Sequence, residues 1–139
     1  MKLRRGNFVI KHKMMKSILI KTILCSFLLL CVSCFKEVDL GFPQKIIFPK
    51  GGGEKIVTGK VSFGYAGIED YRGNSGDIIR GEDGITYTVY DWLSVGYGDF
   101  SNEELKVYAT PNTTGKRRTL YIEVYSGPEY QVITVKQDK

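Results

Sequence analysis

The residue types that most often do chemistry in proteins are scarce in this sequence and lie near its start. Histidine occurs once, as His12, and the three cysteines are Cys25, Cys31 and Cys34. Nucleophilic catalysis and zinc binding depend heavily on these two residue types. Whether this chemistry reaches the folded protein therefore depends on how the first 34 residues are processed.

The segment before Cys34 has the parts of a secretory signal peptide. A basic stretch ending at Lys21 is followed by 11 mostly apolar residues, Thr22–Val32, and then by the small residue Ser33. The apolar run is too short to span a bilayer, which needs about 20 residues. A small residue followed by cysteine resembles the lipobox of bacterial lipoproteins, which implies that Cys34 becomes a lipidated N-terminus. An uncleaved hydrophobic N-terminal helix is the alternative.

Removal of residues 1–33 would leave no imidazole and no free thiol, because Cys34 would carry lipid. This excludes Ser-His-Asp and Cys-His catalysis, ordinary zinc sites and disulfides. We therefore expect no enzyme, no catalytic residue, no metal and no cofactor. Chemistry based on carboxylates alone is the one catalytic class that stays open.

Net charge argues against a nucleic-acid partner. Seven of the 20 basic residues precede Cys34, which leaves 13 basic against 15 acidic residues, a net charge of −2. A nucleic-acid-binding domain usually presents a basic surface. The expected partners are instead a membrane, through the N-terminal lipid, and a glycan or a surface protein complex.

Aromatic side chains are the remaining candidates for ligand binding, because sugar rings stack on flat aromatic faces. The candidate glycan-binding residues are Tyr108, Tyr121, Tyr125 and Trp92. Each has a structural alternative. Cross-strand aromatic pairs stabilise sheets by themselves, and a lone tryptophan beside Leu93 in a strand is expected to pack in the core.

The elements that carry these residues are predicted to be β-strands. After Cys34 no segment repeats its apolar residues at helical spacing, and several alternate with a period of two. Short strands with turn residues between them predict an all-β, immunoglobulin-like sandwich of six to seven strands. The predicted strands are Lys45–Phe48, Lys55–Phe63, two short strands within Ile85–Val95 bent near Asp91, Glu104–Thr110, Thr119–Ser126 and Tyr130–Lys136.

The connection Pro111–Arg118 is polar and rich in turn residues, so the predicted strands on either side of it are expected to form an antiparallel hairpin. Aligning their apolar residues places Ala109 opposite Leu120. The same register places Tyr108 opposite Tyr121, with Tyr125 farther along the same outward surface. The sequence therefore predicts one aromatic face made of these three tyrosines.

The second half of the chain carries the pattern of a known family. It has a Trp-Leu strand, an Asn after an alternating strand, an Arg that opens the next strand and a terminal Val-x-Gln, here Trp92-Leu93, Asn112, Arg118 and Val135-Lys136-Gln137. This pattern resembles the BACON domain, the Bacteroidetes-associated carbohydrate-binding, often N-terminal, module. The resemblance covers roughly Lys45–Gln137. It implies an immunoglobulin-like sandwich with a binding or spacer role, and it implies no particular binding residues.

The glycine-rich segment Gly64–Gly84 is longer than the crossing usual in that family. We expect a solvated loop with irregular strand pieces. Its acidic residues raise calcium binding as an alternative, but they lack the spacing of a calcium loop, and Arg72 and Arg80 offset their charge.

Together these observations predict a lipid-anchored lipoprotein of the outer membrane, with its domain either on the periplasmic face or exposed at the cell surface. Residues 1–33 are the signal peptide, 34–44 a lipidated tether and 45–139 a BACON-like domain. Glu37 and Asp39 resemble a Bacteroidetes surface-export signal, with a solvated linker as the equal alternative. The leading function is glycan binding, or scaffolding of a glycan-handling complex. The alternative is a structural spacer or adhesin-type protein-binding subunit without glycan affinity.

Overall fold

A computed structural model of the protein describes residues 34–98 and 102–139. The predicted signal peptide, residues 1–33, lies outside the described residues. In the described part the chain forms ten strands, which are Lys36–Glu37 (β1), Lys45–Phe48 (β2), Gly53–Phe63 (β3), Tyr65–Glu69 (β4), Asp77–Arg80 (β5), Thr86–Tyr90 (β6), Leu93–Tyr97 (β7), Asn102–Ala109 (β8), Arg118–Ser126 (β9) and Glu129–Gln137 (β10). No helix capable of crossing a membrane occurs in these two ranges.

The strands form two five-stranded sheets with one hydrophobic core. Sheet A has the order β1-β10-β9-β4, with β2 also pairing with β10, and sheet B has the order β3-β8-β7-β6-β5. Both β1 and β2 run parallel to β10. The predicted all-β sandwich is thus confirmed, with ten strands where six to seven were expected.

Alternate residues on each strand supply the core. The predicted apolar sets of β8 and β9 are buried as expected, namely Leu105, Val107 and Ala109 on one strand and Leu120, Ile122 and Val124 on the other. A buried hydrogen bond also joins the sheets, since the Thr88 hydroxyl donates to the Ala66 carbonyl oxygen at 2.6 Å. The sheets are therefore held by packing together with a polar contact that fixes their alignment.

The predicted bend near Asp91 is confirmed as a tight turn. Tyr90 pairs with Leu93, so only Asp91 and Trp92 connect β6 to β7. Asp91 has φ of 51°, in the left-handed region that Asp and Asn enter more readily than most residues. The turn directs Trp92 towards the core, where it is 3% exposed.

The predicted β8–β9 hairpin is wrong, because the two strands lie in different sheets. Tyr108 in β8 lies opposite Ser94, and Tyr121 in β9 lies opposite Thr134. Alternation predicts which residues face inward, but it does not predict which strand lies alongside. The connection between β8 and β9 crosses from one sheet to the other.

The segment Gly64–Gly84 contains two regular strands, β4 and β5, where a solvated loop with irregular strand pieces was expected. Strand β4 is an edge of sheet A, with Ala66 and Ile68 fully buried. Strand β5 is an edge of sheet B and is exposed along its length. With only two inward side chains, β4 is too short for its alternation to stand out against the surrounding glycines.

The segment that follows Cys34 packs on the sandwich. It forms β1, and Leu40 and Phe42 are buried in the core. The buried Gln131 side chain accepts hydrogen bonds from the Leu40 N–H at 2.8 Å and the Phe42 N–H at 3.2 Å, and donates to the Phe42 carbonyl at 2.8 Å. The compact unit begins at Phe35, so it includes residues of the predicted tether.

Candidate ligand-binding cleft

Three rows of paired residues cross the outward face of sheet A, on strands β4, β9 and β10. The rows are Tyr65–Tyr125–Tyr130, Gly67–Glu123–Val132 and Glu69–Tyr121–Thr134. Side chains directly opposite in neighbouring strands have Cβ atoms about 4.5–5.5 Å apart. The register therefore brings tyrosines, carboxylates and a glycine together on one surface.

Tyr125 is the centre of an aromatic cluster at one end of this face. Its ring stacks on Tyr130 at a centroid distance of 5.5 Å and an interplanar angle of 26°, and it lies 5.7 Å from Tyr65 at 38°. Phe35 meets Tyr125 edge-on at 5.9 Å and 87°. Such pairs contribute about 0.5–1.5 kcal/mol beyond their buried area, so each ring holds its neighbours in place.

A cleft of about 430 Å³ opens beside these rings. It is lined by Phe35, Tyr65, Gly67, Ile68, Glu69, Ser75, Glu123 and Tyr125. A Cβ atom on Gly67 would lie 2.8 Å from the Tyr65 hydroxyl oxygen. The absence of a side chain at Gly67 therefore leaves room for the Tyr65 side chain. We call the cleft lined by these eight residues the aromatic cleft.

Two carboxylates line the aromatic cleft, and each makes a hydrogen bond within it. The Tyr125 hydroxyl donates to Glu123 Oε2 at 2.6 Å, and the Ser75 hydroxyl donates to Glu69 Oε1 at 3.2 Å. An ionised carboxylate can accept about four hydrogen bonds. Both groups therefore retain capacity for ligand hydroxyl or amine groups.

The tyrosine hydroxyls of the cleft stay protonated at neutral pH. Burial raises the pKa of Tyr125, and its hydrogen bond to Glu123 raises it further. Burial is also the main cause that raises the pKa of Tyr65, with smaller effects from Tyr97 and from the Glu123 and Glu69 charges. Both phenols thus present neutral rings with O–H groups and not phenolates.

One wall of the cleft comes from the turn between β4 and β5, which Asp70 organises. The Asp70 carboxylate accepts hydrogen bonds from the Arg72 N–H at 2.8 Å, the Asn74 N–H at 3.0 Å and the Tyr90 hydroxyl at 3.1 Å. A further bond from the Asn74 side-chain amide, at 2.8 Å, is the main cause that lowers the Asp70 pKa to about 2. The turn places Ser75 against Glu69.

A larger groove, of about 870 Å³, lies where the chain between β1 and β2 runs alongside β10. Its lining includes Glu37, Asp39, Lys45 and Thr134 but no aromatic side chain. Flat rings are the feature most suited to stacking against sugars, so the aromatic cleft is the better candidate for glycan contact.

The structure separates the predicted binding residues. Tyr125 lines the aromatic cleft, and Tyr121 lies on the same face opposite Glu69. Tyr108 is 46% exposed, but on the outward face of sheet B, across the sandwich from the other two. The single face of three tyrosines therefore does not exist.

Trp92 is a core residue and not a binding platform. It is 3% exposed, and the Arg118 guanidinium lies over its ring at 4.7 Å from the centroid. A ring covered in this way has no face for a sugar. The structural alternative for Trp92 is the correct one.

Asn112, Arg118 and Gln137, the polar residues of the BACON-like pattern, lie in one hydrogen-bonded network. Gln137, 1% exposed, donates to the Thr110 carbonyl at 2.9 Å and accepts from Arg118 Nε at 2.8 Å. Asn112, also 1% exposed, donates to the carbonyls of Lys116 at 2.7 Å and Asp138 at 2.8 Å. These hydrogen bonds thus fix the β8–β9 crossing.

Sequence reasoning missed most of the cleft. Phe35 falls in the predicted tether, and Tyr65 and Glu69 fall in the predicted loop. Glu123 is predicted on the outward face of its strand but not as a binding residue, and Tyr130 is not predicted as one. The sequence feature that pointed to the cleft was the outward Tyr121-x-Glu123 of β9, together with the aromatic residues Phe35 and Tyr130. Its partners depended on strand pairing that the sequence does not show.

Two further observations concern the rest of the described chain. Within residues 34–98 and 102–139, no group of three or more His, Cys, Asp and Glu side chains is close enough to hold a metal ion. Cys34 is exposed and free in the same range.

Comparison with known proteins finds a family similarity in the second half of the chain. Residues 82–138 match the model of the BACON family, described as "Putative binding domain, N-terminal". The resemblance to BACON is thereby confirmed over these residues. The chain is also similar to a protein from Bacteroides thetaiotaomicron solved by NMR, with 18% identity, coverage of 70% of this chain and 82% of that chain, and a TM-score of 0.47. No curated protein matches the chain.

Proposed function

We propose, from the BACON match of residues 82–138, that this protein is a non-catalytic module that contacts glycans through the aromatic cleft. The observation that carries the proposal is the juxtaposition of stacked tyrosine rings with two carboxylates beside a glycine. Sugar C–H faces pack on aromatic rings, while sugar hydroxyls donate to carboxylates. The side chains that line the cleft include no imidazole and no thiol, the groups that many hydrolytic sites use.

Titration of residues 35–139 with glycans, followed by NMR, tests this function. We expect weak binding, near the millimolar range where the binding free energy is about −4 kcal/mol. Shifts should cluster at Tyr65 and Tyr125, and Tyr65→Ala should abolish them. Tyr108→Ala removes an equivalent ring from the opposite sheet and should leave binding unchanged. Binding that survives Tyr65→Ala, or shifts centred on Tyr108, would place the site elsewhere.

The protein-binding alternative has one supporting observation. Strand β5 is an exposed edge, and Ile78 and Ile79 are 59% and 53% exposed on it. Exposed edge strands with apolar side chains are sites where another chain can add a strand. A glycan panel without binding, combined with slowed hydrogen exchange of β5 when a surface partner is present, would favour a spacer or adhesin-type subunit.

We further propose that Cys34 carries the lipid that anchors this module to the outer membrane. The support is the apolar run and the small residue that precede it. The wild-type protein should partition into detergent, because several acyl chains on one cysteine hold a protein far more firmly than one chain does. Cys34→Ser should be retained as an unlipidated precursor of higher mass than the mature protein. Unchanged mass and detergent partitioning of the variant would contradict the anchor.

A further inference from the structure

The charged groups that line the aromatic cleft all have the same sign. Glu69 and Glu123 are the charged residues among the lining side chains, and no lysine or arginine is among those that the structure places there. Both carboxylates act on the same two hydroxyl groups, since each raises the pKa of Tyr65 and of Tyr125. The cleft therefore concentrates negative charge at the place where the rings converge.

The faces of the aromatic rings add to the attraction of these carboxylates for cations. The rings of Tyr65 and Phe35 flank that of Tyr125, at centroid distances of 5.7 and 5.9 Å. The face of an aromatic ring attracts cations, and the attraction grows when the cation loses water. Rings arranged around carboxylates thus favour an ammonium group over a neutral hydroxyl, and they disfavour a carboxylate or sulfate.

From this combination we infer that the aromatic cleft selects glycans that carry a free amine, namely amino sugars that are not acetylated. The inference rests on the proposed glycan-binding function and adds the ligand class to it. The sugar ring would stack on the tyrosines while its ammonium group contacts Glu69 and Glu123. Acidic glycans would be excluded by like charge.

Three trimers with the same β-1,4 linkage separate this selectivity from glycan binding in general. They are the trimers of glucosamine, of N-acetylglucosamine and of glucose, each titrated against residues 35–139 at neutral pH and low salt. We expect the glucosamine trimer to bind roughly two- to tenfold more tightly than the glucose trimer. The N-acetylglucosamine trimer should bind no more tightly than the glucose trimer, because acetylation removes the positive charge of the amine.

Charge-neutral variants test the assigned contacts. Glu69→Gln and Glu123→Gln should each bring the ratio of the glucosamine and glucose affinities towards one. Glu54→Gln makes the same change of charge on sheet B, opposite Tyr108, and should preserve the ratio. Tyr65→Ala leaves the net charge unchanged and should abolish binding, which distinguishes the cleft from general attraction of a cation to an acidic protein.

The outcomes separate the two proposals. Equal binding of all three trimers at the cleft, or tighter binding of the acetylated trimer, would overturn the amine selectivity and leave the glycan function standing. A preference for glucosamine that Glu54→Gln abolishes equally would also overturn it. Absence of binding by every trimer would overturn both.

Discussion

Arg118 Nε donates a hydrogen bond to Gln137 Oε1 at 2.8 Å, which joins the first residue of β9 to the last residue of β10. The same guanidinium donates to the carbonyls of Thr110 at 3.0 Å and Pro111 at 3.2 Å, while it covers the Trp92 ring. One side chain therefore holds the turn after β6, the chain that leaves β8 and the end of the domain. These residues form a structural clasp.

Replacement of Arg118 by Lys should lower the free energy of unfolding by about 1–3 kcal/mol. Lysine keeps the charge but lacks the planar fork that reaches Gln137 and two carbonyls together. Urea unfolding of residues 35–139 measures the loss. Arg117→Lys is the matched control, because the Arg117 side chain is 79% exposed and its ion pair is long, with 3.6 Å between Arg117 Nε and Asp138 Oδ1. Equal effects of the two variants would contradict the clasp.

Removal of the segment before residue 45 should strongly destabilise the domain. Leu40 and Phe42 are buried in the core, and deletion of one large apolar core side chain costs about 2–5 kcal/mol. Gln131 would also lose its partners on that segment. Thermal unfolding of residues 45–139 should show a much lower Tm than that of residues 35–139. Matching Tm values would mean that the segment is a dispensable tether.

Substitution of Gly67 by Ala should disturb the aromatic cleft. The added Cβ would lie 2.8 Å from the Tyr65 hydroxyl, so that ring must move. We expect shifted Tyr65 and Tyr125 ring resonances and weaker glycan binding. Gly64→Ala, just before the start of β4, is the control, because nothing lies within 4 Å of its added Cβ. Unperturbed tyrosine resonances in Gly67→Ala would count against the geometry of the cleft.

Acid should loosen the turn that forms one wall of the cleft. The Asp70 pKa is lowered in the folded protein to about 2, below the value of about 3.9 of an unstructured Asp. Its stabilising effect is therefore present above pH 4 and is lost as the pH falls through about 2. Amide exchange at Arg72 and Asn74 should accelerate over this range. In Asp70→Asn the amides should exchange faster already at neutral pH; protection equal to that of wild type would contradict the role of Asp70.

Local pattern in the sequence was enough to predict the class of fold. Alternation identified β2 to the residue, the turn at Asp91 and the inward faces of β8 and β9, because side-chain direction in a strand has a period of two wherever the strand lies. The family pattern was also readable from a single sequence, and so was the burial of Trp92.

Only the tertiary structure decided which residues share a surface. The pairing of β9 with β4 and β10, and not with β8, brings Tyr125 beside Tyr65 and Tyr130 and separates it from Tyr108. Strand pairing depends on contacts between distant segments, such as the burial of Ile68 against the facing sheet. Alternation within one strand is compatible with many partners. The sequence by itself thus determined the faces of the strands, whereas long-range packing decided their neighbours and with them the aromatic cleft.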